Sequence, residues 1–115
     1  SGPIGEASAR LSQSVNELAY QEFSLLQSLE AAYQQYEIAQ SQMFALESGI
    51  VRQAANAVRV VEIAYKAGEK GFLEVLDAQR VFRSARNELI VARFDLASAW
   101  TEIERLRATV SDNPN

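Results

Sequence analysis

The stretch AYKAGEKGFLEVLDAQR, residues 64–80, sets Lys66 and Lys70 around Glu69, then places Glu74, Asp77 and Arg80 three residues apart. Two lysines are too few for a phosphate or nucleic-acid site, and Gly68 and Gly71 lack the spacing of a phosphate loop. Glu62, Glu74 and Asp77 suggest a di-metal carboxylate centre, but such centres in helical bundles need Glu-x-x-His pairs. The chain has no His and no Cys. That also removes imidazole and thiol chemistry and the usual zinc sites. No nucleophile lies beside a base, so no catalytic residue, metal ligand or cofactor is assigned. Glu74 and Asp77 share one helix face. As acids in the first turns of a helix they offset its positive end, for roughly 0.3–1 kcal/mol each.

The elements that carry this stretch are read from the apolar pattern. The chain has 115 residues, 48% of them hydrophobic, with five Gly and two Pro, a composition that suits long helices. From Leu11, alternating steps of four and three land on Val15, Leu18, Glu22, Leu25, Leu29, Ala32, Tyr36, Ala39, Met43, Leu46 and Ile50. Only Glu22 breaks the apolar series. This 3.5-residue repeat marks the seam of a left-handed coiled coil. It shifts slightly after Ile50 and continues through Ala54, Ala57, Val61 and Ala64. Because the phase survives Gly49, an unbroken helix is favoured over a fold-back there. A second seam runs through Val75, Ala78, Phe82, Ala85, Leu89, Ala92, Leu96, Ala99, Ile103, Leu106 and Val110. Alanine at alternate layers allows two helices to approach closely.

The expected fold is all-α: a long antiparallel coiled-coil hairpin with helices at about 5–67 and 72–109 and a tip at 67–71. Gly68 is placed to end the first helix in a left-handed conformation. At 1.5 Å per residue the helices measure roughly 90 Å and 57 Å, so the second runs out opposite about residue 30. Leu11, Val15, Leu18, Phe23 and Leu25 are then left without a partner in the chain, and such a stripe has to be covered by something. Self-association of the isolated chain is expected on that ground. Apolar residues off the second seam, Leu76, Ile90, Val91, Phe94 and Trp100, point to further helical neighbours. Residues 1–3 read as a tag scar, 4–110 as one hairpin and 111–115 as a frayed tail. A formal net charge of −4 argues against nucleic acid as a partner. No apolar run reaches the roughly 20 residues of a membrane-spanning helix.

The stretch around the turn resembles the second periplasmic hairpin of the outer membrane efflux protein family, the TolC-like exit ducts. The features that carry the likeness are Tyr65, Gly68, the run Leu73-Glu74-Val75-Leu76-Asp77-Ala78, and the later Ala92-Arg93-Phe94-Asp95-Leu96-Ala97-Ser98-Ala99 and Leu106. The LDAQR form is similar to the heavy-metal branch. The resemblance implies a homotrimeric duct in the outer membrane of a Gram-negative-type cell, with this segment in the periplasm, working with a periplasmic adaptor and an inner-membrane pump. It implies that Glu74 and Asp77 face the lumen as a ring of carboxylates, which would favour cations. Tyr65 and Lys70 take positions of closed-state contacts between neighbouring hairpins. Lys70 stands where an arginine is common, and a lysine offers no planar fork. Ala67, Gly68, Glu69, Gly71 and Phe72 would form the adaptor-docking tip, where glycine lets another backbone come close. Phe72 reads equally well as an exposed anchor or as a cap on the hairpin core. An adaptor's own hairpin and a coiled-coil spacer remain alternatives. Arg10-Leu11-Ser12 matches an adaptor tip signature but lies far from the turn.

Overall fold

The computed structural model describes residues 2–112. Helix α1 spans Pro3–Ala45, α2 spans Val51–Lys66 and α3 spans Phe72–Ser111. Pro3 stands at the first helical position, where its missing N–H loses nothing. Between α1 and α2 the residues Leu46–Ile50 form a π turn. Ala45, Leu46, Ile50 and Val51 all keep right-handed helical angles, so α1, the π turn and α2 make one rod and the fold-back at Gly49 does not occur. α3 returns antiparallel along it, giving a hairpin of 95 × 21 × 14 Å. The expected all-α hairpin and its tip are as read from the sequence, with α3 reaching Ser111 rather than 109. Of the expected tail, Ser111 is helical and Asp112 caps α3; Ser1 of the expected scar and residues 113–115 lie outside the described residues.

The core is a single row of small layers. Ala32, Ala39 and Ala54 on the long rod, and Val75, Ala85, Leu89, Ala92, Ala99, Ile103 and Leu106 on α3, are its buried residues. Every one lies on a seam position. Ile103 is the fully buried large side chain, and with Ala32 and Leu106 it gathers Leu25, Leu29 and Tyr36 around it. Tyr36 also meets Trp100, ring centroids 5.6 Å apart. Trp100 is therefore partly used inside the hairpin, while Leu76, Ile90, Val91 and Phe94 stay exposed.

Two expectations need correction. The seam does not pass through Ile50 and Ala57. Ile50 is 49% exposed and Ala57 is exposed, whereas Val51, Ala54, Val58 and Val61 turn toward α3. The π turn holds one extra residue, so everything after it is displaced by one position relative to the seam of α1. Leu25, expected to lack a partner, packs on the Ile103 cluster, because α3 reaches further along α1 than an equal-length count implies. Thr109 and Asp112 line a cleft with Leu18, Gln21, Glu22 and Leu25. Leu11, Val15, Leu18 and Phe23 remain exposed as expected.

Candidate functional site at the hairpin tip

The tip is built by backbone before any side chain takes part. α2 ends in paired reverse bonds: the Glu69 N–H donates to the Ala64 carbonyl at 2.8 Å and the Gly68 N–H to the Tyr65 carbonyl at 3.0 Å. Gly68 sits at φ 77° between them. A residue with a Cβ is strained in that left-handed region. Ala67, before it, is still right-handed. Gly71 is extended, caps the start of α3, and its carbonyl accepts the Glu74 N–H at 3.2 Å.

Six side chains then close the tip in three pairs. The rings of Tyr65 and Phe72 meet across the turn, centroids 5.7 Å apart and planes at 53°. Phe72 is nevertheless 55% exposed, so it caps the turn with one edge and offers the other to solvent; both of its expected roles are sterically open. Lys70 Nζ lies 3.7 Å from a Glu74 carboxylate oxygen, one turn on. Asp77 accepts a hydrogen bond from the guanidinium of Arg80. Just inside the tip, Gln79 Nε2 reaches Glu62 Oε1 at 3.5 Å and ties α2 to α3.

The candidate residues thus divide. Ala67, Gly68, Glu69, Gly71 and Phe72 form a continuous exposed cap. Glu74 and Asp77 are exposed on the outside of α3, each beside its own cation, and Tyr65 is spent on Phe72 rather than on a polar group of this chain. Among the described residues no three carboxylates come together in a way that could hold a metal. Sequence reading gave no role to Arg80 or Gln79, and Glu62 was weighed only for a metal centre that the absence of His rules against. The three-residue step from Asp77 to Arg80 was a visible signal for the first pair. Nothing in the sequence singled out the second, which depends on how two distant segments are aligned. All three ion pairs and hydrogen bonds around Glu74, Asp77 and Glu62 are at least partly exposed. Exposed pairs contribute about 0–1 kcal/mol each, so these side chains can change partners at little expense.

A second cross-link lies beside the π turn. Arg93 on α3 reaches Glu47 at 3.2 Å, and Ser48 donates back to the Phe44 carbonyl at 2.6 Å. Back-bonding of this kind to the carbonyl one turn earlier often accompanies a bend in a helix.

With this geometry in place, the family model for outer membrane efflux proteins matches residues 4–109. The chain belongs to the outer membrane efflux protein family. No curated protein and no solved structure matches it. The matched span covers α1 from its first turn, the π turn, the tip and nearly all of α3, so the tip of this outer membrane efflux protein falls within the match and not at its margin. The family is one of export proteins rather than of enzymes. None of the described helices is long and apolar enough to cross a membrane.

Proposed function

We propose that this hairpin is a wall segment of the periplasmic tunnel of a trimeric outer-membrane efflux duct, and that its tip docks a periplasmic adaptor and gates the narrow end. The family match across both arms of the hairpin carries this reading. The exposed off-seam residues Leu76, Ile90, Val91 and Phe94 support it, since a helix in a closed wall needs apolar contacts on more than one side.

In this reading the wall is passive. An inner-membrane pump supplies the energy for exporting metal ions or drugs, and the adaptor transmits it to the tip. Glu74 and Asp77 of neighbouring protomers form the carboxylate ring that favours cations over anions. Tyr65 and Lys70 hold the closed state by contacts to the next hairpin. In the single chain Lys70 is paired with Glu74 through a half-exposed contact, weak enough to be exchanged for a contact across protomers. The cap from Ala67 to Phe72 meets the adaptor, with Phe72 as its apolar anchor.

The test is a site-specific photocrosslink from Glu69 in the full-length parent protein, in cells that carry the neighbouring transport components. An adduct with a periplasmic adaptor is expected. A folded, exported parent that gives no such adduct would reduce the tip to a turn and the hairpin to a spacer.

A further inference from the structure

The hairpin has two unlike sides. Each helix carries one row of residues on either hand of its seam, and contacts between the helices show which rows share a side. On one side Glu47 meets Arg93, Glu62 meets Gln79, and Tyr36 lies against Trp100. On the other, Gln42 of the rod and Glu88 and Asp95 of α3 line one groove, with Leu46 and Ala92 of the seam at its floor. Gln21 and Thr109 share the cleft at the end of α3 on that same side. Steps of seven residues extend each row. The second side carries Gln21, Ser28, Gln35 and Gln42 on the rod, and Glu74, Val81, Glu88, Asp95, Glu102 and Thr109 on α3. It has four carboxylates, no base, and Val81 as its one apolar member. The first side carries Leu26, Tyr33, Gln40 and Glu47 on the rod, and Gln79, Arg86, Arg93, Trp100 and Arg107 on α3. There the arginines stand among large apolar surfaces: Leu26 is 62% exposed, and Tyr33 and Trp100 are 41% exposed each.

We infer that the carboxylate side faces the bore of the duct and the arginine side faces outward. The inference rests on the tunnel-wall reading. Helices in a closed wall stand side by side, so the plane through the two axes lies in the wall. The two sides of the hairpin then become its inner and outer surfaces. Exposed Leu76, Ile90 and Phe94 lie on the back of α3, where the next helix of a wall packs. A bore is filled with water along its length, so its lining has to be polar at level after level. The carboxylate side meets that demand. The arginine side, broken by Leu26, Tyr33 and Trp100, does not.

The consequence is a cation preference that extends well beyond the tip. From Glu74 to Glu102 the row spans roughly 40 Å, in steps of roughly 10 Å at 1.5 Å per residue. Glu74 and Glu102 each have a cation of their own within one turn. Among the described residues Glu88 and Asp95 have none, so these two are the bare charges of the row. Levels so far apart cannot grip one ion together. They set the potential through which cargo passes, since walls of one sign gather counter-ions. Cationic and neutral cargo is admitted and anionic cargo is opposed, an effect that salt weakens because screening acts over about 8 Å at physiological ionic strength.

Cysteine scanning of the full-length parent, reconstituted in planar bilayers, tests this. The segment holds no Cys, so each introduced thiol is unique within it. A cationic methanethiosulfonate reagent should change the single-channel conductance of Gln35→Cys and Asp95→Cys and leave that of Gln40→Cys and Arg86→Cys as it was. Glu88→Gln combined with Asp95→Asn should lose cation-over-anion preference in reversal potentials, while Arg86→Gln combined with Arg107→Gln should keep it. Conductance changes confined to Gln40→Cys and Arg86→Cys would turn the hairpin the other way round and overturn the inference, with the wall itself left standing. An unchanged preference in the Glu88 and Asp95 variant would likewise overturn it. No change at any of the four cysteines, in a parent that conducts, would remove the segment from the tunnel wall and the inference with it.

Discussion

Tyr65 and Phe72 meet at a tilt across the turn, 5.7 Å between centroids, and both rings keep close to half of their surface in solvent. The contact is the outermost apolar link between the two arms of the hairpin. Aromatic pairs of this kind contribute about 0.5–1.5 kcal/mol beyond burial. Phe72→Ala should therefore lower the stability of the isolated chain by no more than about 2 kcal/mol, measured by urea unfolding followed by circular dichroism. A loss of adaptor crosslinking in the parent much larger than that stability change would assign the exposed edge of Phe72 to docking.

Two glycines, one in the long rod and one in the turn that ends it, should respond with opposite signs. Gly68 lies at φ 77°, where a Cβ costs roughly 1–2 kcal/mol; Gly68→Ala should lower the melting temperature. Gly49 lies within the continuous helical rod, and an added Cβ there meets no atom within 4 Å. Gly49→Ala should raise the melting temperature, by up to about 1 kcal/mol of helix propensity.

Removing one residue from the π turn should be tolerated. Deleting Ser48 lets Val51, Ala54, Val58 and Val61 fall into direct phase with the seam of α1, so circular dichroism should show an unchanged helix content and a melt within a few degrees of the parent chain. Deleting Asn56, ten residues before the end of α2, instead rotates the following residues by about 100° at 3.6 residues per turn. That variant should lose protection from hydrogen exchange at the tip.

Ile103 is 0% exposed and sits at the centre of the core cluster. Ile103→Ala should cost about 2–5 kcal/mol, against little change for Ile90→Ala on the exposed face. Hydrogen exchange should show the loss concentrated from Leu25 to Tyr36 and in the last turns of α3.

Acid should act locally at Glu102. Its carboxylate accepts two bonds from the Arg105 guanidinium, at 2.6 and 3.0 Å, and that bonding holds it below the ordinary value of 4.5, with the nearby positive charge adding to the effect. A depressed carboxylate favours the folded state above its unfolded value and loses that advantage as pH falls through its folded value. An NMR titration should find the Glu102 midpoint below 4.5, and Arg105→Ala should return it upward. The pair is exposed, so Glu102→Gln should flatten only the acid end of the stability profile.

Much of this molecule was legible because a coiled coil writes its packing into a period. Each buried residue, from Ala32 to Leu106, stood on a seam position, and Gly68 marked the turn by the conformation it alone tolerates. The π turn was not legible. A single extra residue leaves Ile50 and Ala57 looking as suitable as Val51 and Val58, since all four are apolar; only the facing helix decides between them. The reach of α3 was misjudged for a related reason, because counting residues from the turn ignores how the two rods are set against each other. At the tip, the cap was foreseen as a shape, but Glu74 and Asp77 found cations in their own chain. Any further partner of theirs belongs to another molecule and is not encoded in local spacing.

The extra residue of Leu46–Ile50 also works as a key in a keyway. Two helices with perfectly periodic seams can slide past each other by one heptad and still interlock, because every layer finds an equivalent. Here the long rod changes phase at one place, where Glu47 stands across from Arg93. A slide by seven residues would carry the phase change away from the part of α3 that fits it and leave the layers between mismatched. Lengthwise travel is thereby locked out, and a hairpin that has to move does so by swinging or turning as one piece.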